Sequence, residues 1–179
     1  GSAASEQLLG GEGDDTLIGA GGDDFLQGGV GKNVIYGNEG DDTIDVSGRT
    51  AVLDTIDGGT GTDTLRLSAG VDLSGAQLSN IEVLTSQDNA SFAFTTAQLA
   101  TWGVNRLDNL TISMPAAGTL DTTAISGDYN VTGSTGDDVI KTGAGANIIN
   151  PRAGVANVQA GAGDDVIFYQ PATGDWQGP

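Results

Sequence analysis

The chain has 179 residues, 30 of them glycine, with 24 acidic and 6 basic side chains, no histidine and no cysteine, for a formal charge of −18. Such a charge repels nucleic-acid phosphates and anionic membrane surfaces and favours cations as partners. Without cysteine there are no disulfides, thiolate metal sites or cysteine nucleophiles, and no apolar run reaches the ~18 residues that membrane insertion needs.

In chain order, residues 1–9 read as a lead-in opening on Gly1-Ser2, a pair that looks like an expression scar. Residues 10–45 then repeat one nine-residue phrase four times: GGEGDDTLI, GAGGDDFLQ, GGVGKNVIY and GNEGDDTID. Residues 46–57 form a longer crossing, and 58–66 (GGTGTDTLR) return to the phrase. Residues 67–132 carry no repeat. They alternate β-branched runs with polar turns (64–68, 80–86, 91–95, 109–114 and 129–132), which predicts wider solenoid coils. Thr96–Trp102 (TAQLATW) predicts a short helix capped by Thr95 or Thr96. Residues 133–168 hold four more units, and the tail 169–179, rich in Gly and Pro, reads as loose.

In every unit position four is Gly and position eight is Leu, Ile or Val, while position six is Asp or Asn in all but the 151–159 unit, which has Ala156. A flexible glycine-rich spacer would not keep three positions in phase. This phasing resembles the calcium-binding nonapeptide repeat of the RTX family of secreted bacterial proteins. The resemblance implies an all-β, right-handed parallel β-roll (a β-helical solenoid), with RTX blocks at 10–66 and 133–168 joined by the wider coils. In such a roll the first six residues of a unit turn, the last three form a strand, and two units complete a coil of 18.

The resemblance also implies several calcium ions as cofactors. Glycines at positions one, two and four can take positive φ and turn carbonyls inward, and Asp at position six supplies charge. Calcium takes six to eight oxygens at about 2.3–2.6 Å. The expected metal-ligating residues are Gly10, Glu12 and Asp15; Gly19, Gly21 and Asp24; Gly28, Val30 and Asn33; Gly37, Glu39 and Asp42; Gly58, Thr60 and Asp63; and Asp138, Asn147 and Asp165. Strand spacing near 4.8 Å brings turns one coil apart to a shared ion. The pairs are then Asp15 with Asn33, Asp24 with Asp42, Asp42 with Asp63 if the crossing keeps the stack, and Asn147 with Asp165. Asp24 and Asp42 form the strongest pair because each has a second Asp at position five. Neutral Asn33 and neighbouring Lys32 weaken theirs. Asp138 faces Ala156, which offers no ligand, so that edge is expected to be empty or poorly filled.

Position eight should form inward ladders: Leu17, Leu26, Ile35, Ile44, Leu65, Ile140, Ile149, Val158 and Ile167. One aliphatic per nine residues is a thin core, so metal binding should supply folding free energy. Other patterns fail on their chemistry. Asp128, Asn130, Thr132 and Gly133 open like an EF-hand loop, but its twelfth position is Val139 where Glu is needed. No GK[ST] follows the glycine-rich turns, and Trp102 reads as core packing before a sugar platform. Glu82 has no partner for a glycosidase pair, so no enzyme activity is expected.

The resemblance implies export by a type I system, unfolded at low calcium, and folding outside the cell. The function expected is a calcium-binding structural module of a secreted or cell-surface bacterial protein, supporting surface-layer or adhesin assembly. Its further partners would be copies of itself or cell-surface polysaccharide. An accessory domain of a secreted protease or lipase and a carbohydrate-binding module are the alternatives.

Overall fold

A computed structural model of the protein describes residues 1–49 and 52–168; the tail expected at 169–179, with Trp176, lies outside the described residues. The all-β reading holds: parallel strands stack coil upon coil into a solenoid, and four sheets line its sides.

The first sheet orders Gln7–Leu9, Phe25–Gln27, Thr43–Asp45, Thr64–Leu67, Val83–Ser86 and Arg106–Asp108. The second, on the opposite side of the first block, orders Thr16–Gly21, Val34–Glu39, Thr55–Thr60 and Gln77–Ser79. Register follows the aliphatic ladder. Leu8, Leu26, Ile44, Leu65, Leu84 and Leu107 align across the first sheet, and Leu17, Ile35, Ile56 and Leu78 across the second. A slip of one residue would turn each ladder to solvent, so burial of one face fixes the register.

In the middle coils the first sheet ends while two others begin. One orders Ser91–Phe92, Thr111–Ser113, Asn130–Thr132, Ile148–Asn150 and Val166–Ile167, and the other orders Thr119–Asp121, Val139–Lys141 and Asn157–Gln159. The coil between Arg106 and Ser126, which bridge in parallel, therefore has three strand sides instead of two. The middle coils take larger side chains into their interior: Phe92, Phe94, Leu99, Trp102, Leu107, Leu110 and Ile112 are all buried. Phe92 stacks on Phe94 at 5.3 Å, and Phe94 meets Trp102 edge-on at 5.6 Å. Trp102 is thus a core residue with no face free for a sugar ring.

The helix spans Thr96–Trp102 as the sequence predicts. Thr95 is its cap, exchanging bonds with Gln98 in a capping box, and Gly103 ends it with φ 90°. Thr95 turns the chain into this helix, which is why the run at 91–95 forms a strand only over Ser91–Phe92.

Two expectations need correction. Strands Thr16–Gly21, Val34–Glu39 and Thr55–Thr60 are six residues long, not three. They run on through position three of the next unit because the second sheet continues pairing there. The inward ladder also thins at its far end. Leu17 through Ile149 are buried, but Val158 is only partly covered and Ile167 is 45% exposed on the last described coil.

Candidate metal site: the turn edges

The turns after each strand stack into edges, and a ladder of side chain to backbone bonds runs up each one. On the edge that holds 19–24, 37–42 and 58–63, the Glu6 amide donates to Asp24 Oδ1 (2.8 Å) and the Asp24 amide to Asp42 Oδ1 (2.8 Å). The Asp42 amide donates to Asp63 Oδ1 (2.9 Å), and the Asp63 amide to Glu82 Oε2 (2.9 Å). On the other edge the Asp15 amide donates to Asn33 Oδ1 (2.9 Å) and the Asn33 amide to Asp54 Oδ1 (2.8 Å). Asp24, Asn33, Asp42, Asp54 and Asp63 each thus hold the turn below with one side-chain oxygen.

The second oxygen is the informative one. Among the described residues, Oδ2 of Asp15, Asp24, Asp42 and Asp63 are the buried side-chain oxygens left without any hydrogen-bond partner. An unpartnered buried carboxylate oxygen is costly unless a cation meets it. Each points at the position-one glycine of its own turn and the position-one carbonyl of the next. A methyl carbon at Gly10 would lie 2.6 Å from both Asp15 Oδ2 and the Gly28 carbonyl oxygen. One at Gly19 would collide with Asp24 Oδ2 and lie 2.6 Å from the Gly37 carbonyl, and one at Gly37 would strike Asp42 Oδ2 and the Gly58 carbonyl. At Gly58 the neighbours are Asp63 Oδ2, at 2.6 Å, and the Asn80 carbonyl.

Position-one glycine is therefore needed for space. Positive φ falls at position two (Gly11, Gly29, Gly59) and position four (Gly13, Gly22, Gly31, Gly40, Gly61), whereas Gly10, Gly19, Gly28, Gly37 and Gly58 keep ordinary φ. That corrects the reading in which position one shared the conformational role. A side chain at position one would be crowded out, because the carboxylate oxygen and a carbonyl of the next coil both lie close against the same glycine. Among the described residues no three acidic side chains converge, so carbonyls must complete any shell. A hard, oxygen-seeking divalent cation fits this donor set.

The position-three residues contribute backbone only. Glu12, Val30, Glu39 and Thr60 have exposed side chains, with Glu12 bridging Val30 and with Gly21, Glu39 and Thr60 in the second sheet. The Val30 and Thr60 carbonyls accept the Gly13 and Gly40 amides at 2.8 and 2.9 Å. The second Asp at position five is also spent on the protein. Asp23 Oδ1 accepts the Asp41 amide (2.9 Å), Asp41 Oδ1 the Thr62 amide (2.7 Å) and Asp14 Oδ1 the Lys32 amide (2.8 Å).

Stacked carboxylates resist ionisation when nothing neutralises them. Burial pushes the Asp63 carboxyl up to about 6, and the nearby charges of Asp42, Glu82 and Asp41 add to the effect. Burial raises Asp42 as well, helped by Asp24, Asp23 and Asp41.

The second block is built differently. Asp138 Oδ2 accepts both the amide (2.8 Å) and the hydroxyl (3.2 Å) of Ser134, which stands where position two is usually glycine. Its Oδ1 accepts the Gly118 amide at 3.3 Å. Register places Asp138 opposite Ala156, since Val139 pairs Asn157. The Asn147 amide donates to Asp165 Oδ1 at 3.0 Å. One coil earlier, position six is the buried Tyr129, whose hydroxyl lies 2.9 Å from Thr122 Oγ1 and accepts the Gly143 amide at 3.2 Å.

Three ladder members were not anticipated from sequence: Glu6, Asp54 and Glu82. The first two carried a signal. Residues 1–9 (GSAASEQLL) and 49–57 (RTAVLDTID) are in frame, with Glu6 and Asp54 at position six and Leu8 and Ile56 at position eight. Their glycines at positions two and four are gone, and three extra residues, 46–48, stretch the spacing across the crossing to 21. Glu82 offered no such frame, and its partner is the backbone of Asp63.

A parallel solenoid whose turn edges pair buried carboxylates with carbonyls is a cation-binding β-roll. The chain belongs to the RTX calcium-binding nonapeptide repeat family, whose model matches it in four copies over residues 1–35, 20–48, 54–73 and 126–155, together more than half of its length. Repeats of this family bind several calcium ions per block and form a structural module. No curated protein matches the chain. Among the described residues no helix is long and apolar enough to cross a membrane.

Proposed function

We propose that residues 10–66 form the calcium-binding part of a secreted structural module, held together by ions at Asp15, Asp24, Asp42 and Asp63. The four unpartnered Oδ2 atoms carry this reading, each facing a neighbouring turn's carbonyl across a gap that only glycine leaves open. The Asp24–Asp42 and Asp42–Asp63 steps hold the most negative charge and take calcium most tightly. Asp15 shares its step with neutral Asn33 and binds more weakly. In the second block, residues 133–168, the Asn147–Asp165 step is a weaker site, and Asp138, closed by Ser134, takes no ion.

Calcium then acts as a folding switch. In a low-calcium cytoplasm the stacked carboxylates repel and the chain stays open for type I export; outside the cell, ions close the ladder. The finer role we propose is support of surface-layer or adhesin assembly at the bacterial cell surface, which repeat blocks on either side of non-repeat coils suit. Calcium titration followed by far-ultraviolet circular dichroism tests the switch: β signal should rise on addition and fall with chelator, and a signal indifferent to both would refute it. Calcium-dependent growth of ordered particles in light scattering tests assembly, and a holo protein that stays monomeric at high concentration would count against it.

A further inference from the structure

One position-six carboxylate in the first block breaks the pattern of the others. Asp54 is fully buried, and its Oδ1 holds the Asn33 amide as Asp42 holds Asp24 and Asp63 holds Asp42. Thr55 follows it in the strand and takes the Asn33 carbonyl at 2.9 Å, just as Thr64 takes that of Asp42 and Thr43 that of Asp24. Register therefore puts Asp54 Oδ2 where the unpartnered Oδ2 atoms stand on neighbouring coils. Here the oxygen has a partner: the Arg49 guanidinium forms an ion pair with it through Nη1, and through Nη2 donates to the Gly31 carbonyl at 2.7 Å. The Arg49 side chain is only 12% exposed.

We infer that the Arg49 guanidinium occupies a cation slot of the solenoid, so that the step between turn 28–33 and Asp54 is closed by a tethered cation and takes no calcium. Arg49 stands at position one of the degenerate unit 49–57, the position that carries glycine in the other units of the first block. It bridges the Asp54 carboxylate and the carbonyl of Gly31, position four of the turn below. A planar guanidinium presents two N–H groups in a fixed fork and suits such a bridge better than a single ammonium. The local charge agrees. Position six of the lower turn is neutral Asn33, so one carboxylate meets one guanidinium, whereas the Asp24–Asp42 and Asp42–Asp63 steps each stack two carboxylates and call for a divalent ion. Neutral Asn33 thus belongs to the clamp above it as well as to the weaker site below. The consequence is one calcium-independent step inside the calcium-dependent block, next to the three-residue insertion where the coil departs from its 18-residue spacing.

This inference rests on the calcium reading of the Asp24–Asp63 ladder, and calcium stoichiometry of the full chain by isothermal titration separates the two. Arg49→Ala should bind one calcium more than the wild type, and Arg49→Ala combined with Asp54→Asn should lose that extra ion. Asp54→Asn alone should leave the wild-type count unchanged, while Asp42→Asn lowers it. The Asp54→Asn comparison keeps the inference testable if Arg49→Ala does not fold. An Asp54→Asn protein that loses an ion, or a folded Arg49→Ala protein with the wild-type count, would overturn the clamp while leaving the ladder standing. A wild-type chain that binds no calcium would overturn both.

Discussion

The two repeat blocks share a nine-residue grammar and a coil geometry, yet they answer the same electrostatic problem in different ways. Between residues 10 and 66 the position-six carboxylates Asp15, Asp24, Asp42 and Asp63 keep one oxygen buried and unpartnered. From Tyr129 through the second block the same position is filled by Tyr129, by Asp138 tied to Ser134, by the amide side chain of Asn147, by Ala156 and by Asp165, whose Oδ1 accepts the Asn147 amide. The first block leaves its charge for an ion, and the second largely satisfies itself with hydroxyls and amides. A repeat motif therefore marks where an ion can sit, while the residues at positions one and two decide whether the slot is open.

Calcium removal should separate the blocks most sharply. With excess chelator, amides of the first block such as Asp24, Asp42 and Thr64 should lose hydrogen-exchange protection entirely, while those of Val139, Asn157 and the buried middle coils stay protected. Equal loss throughout would erase the distinction. Asp42→Asn comes next, because Asp42 serves the steps both above and below it. Calcium affinity of the first block should fall at least about tenfold, or ~1.4 kcal/mol, in a calcium titration, whereas Asp138→Asn should leave it unchanged.

A smaller effect concerns pH in the metal-free protein. Burial pushes the Asp63 carboxyl in the fold up to about 6, above the ~3.9 of a free aspartate, and raises Asp42 too. The folded state then binds protons more readily than the unfolded chain. The contribution is fully present below about pH 4 and is lost as pH rises through about 6. Without calcium, the first block should melt at higher temperature at pH 5 than at pH 7.5. With calcium the order should reverse, because protons compete with the ion for these carboxylates; thermal scans at the two pH values with and without chelator read this directly.

The smallest effect is local. Ala20 holds φ 83° at position two of its turn, where Gly11, Gly29 and Gly59 sit on neighbouring coils. Ala20→Gly relieves a left-handed strain of roughly 1 kcal/mol and should raise the holo melting midpoint by a few degrees. A lower midpoint would show that the turn tolerates alanine without strain.

Much of this was legible in the residues themselves. Position-eight aliphatics predicted the inward ladders, since a two-residue strand period leaves them no other buried face, and the run TAQLATW behind a threonine cap announced the helix to its last residue. The pairings of Asp24 with Asp42, Asp42 with Asp63 and Asn147 with Asp165 followed from stacking at one coil. Less was visible where glycine had been replaced. Units 1–9 and 49–57 lack the glycines at positions two and four and keep the pattern at positions six and eight, so Glu6 and Asp54 went unrecognised. The strands at Gln77–Ser79, Arg106–Asp108 and Thr119–Asp121 lie in coils whose lengths vary and offer no period to read.

By itself the sequence determined the family, the parallel stack and its register, because a nine-residue period of glycine, carboxylate and aliphatic permits one way to bury the aliphatics. Only the tertiary structure decided which slots stand open. Whether a carboxylate oxygen is left for calcium depends on what the fold brings to it: the carbonyl of Gly58, one coil on, beside Asp42, the hydroxyl of Ser134 in the same turn on Asp138, or the guanidinium of Arg49 from the same unit on Asp54. Those neighbours come from the next coil or from other positions of the same unit, so only the folded stack shows which of them meets each oxygen.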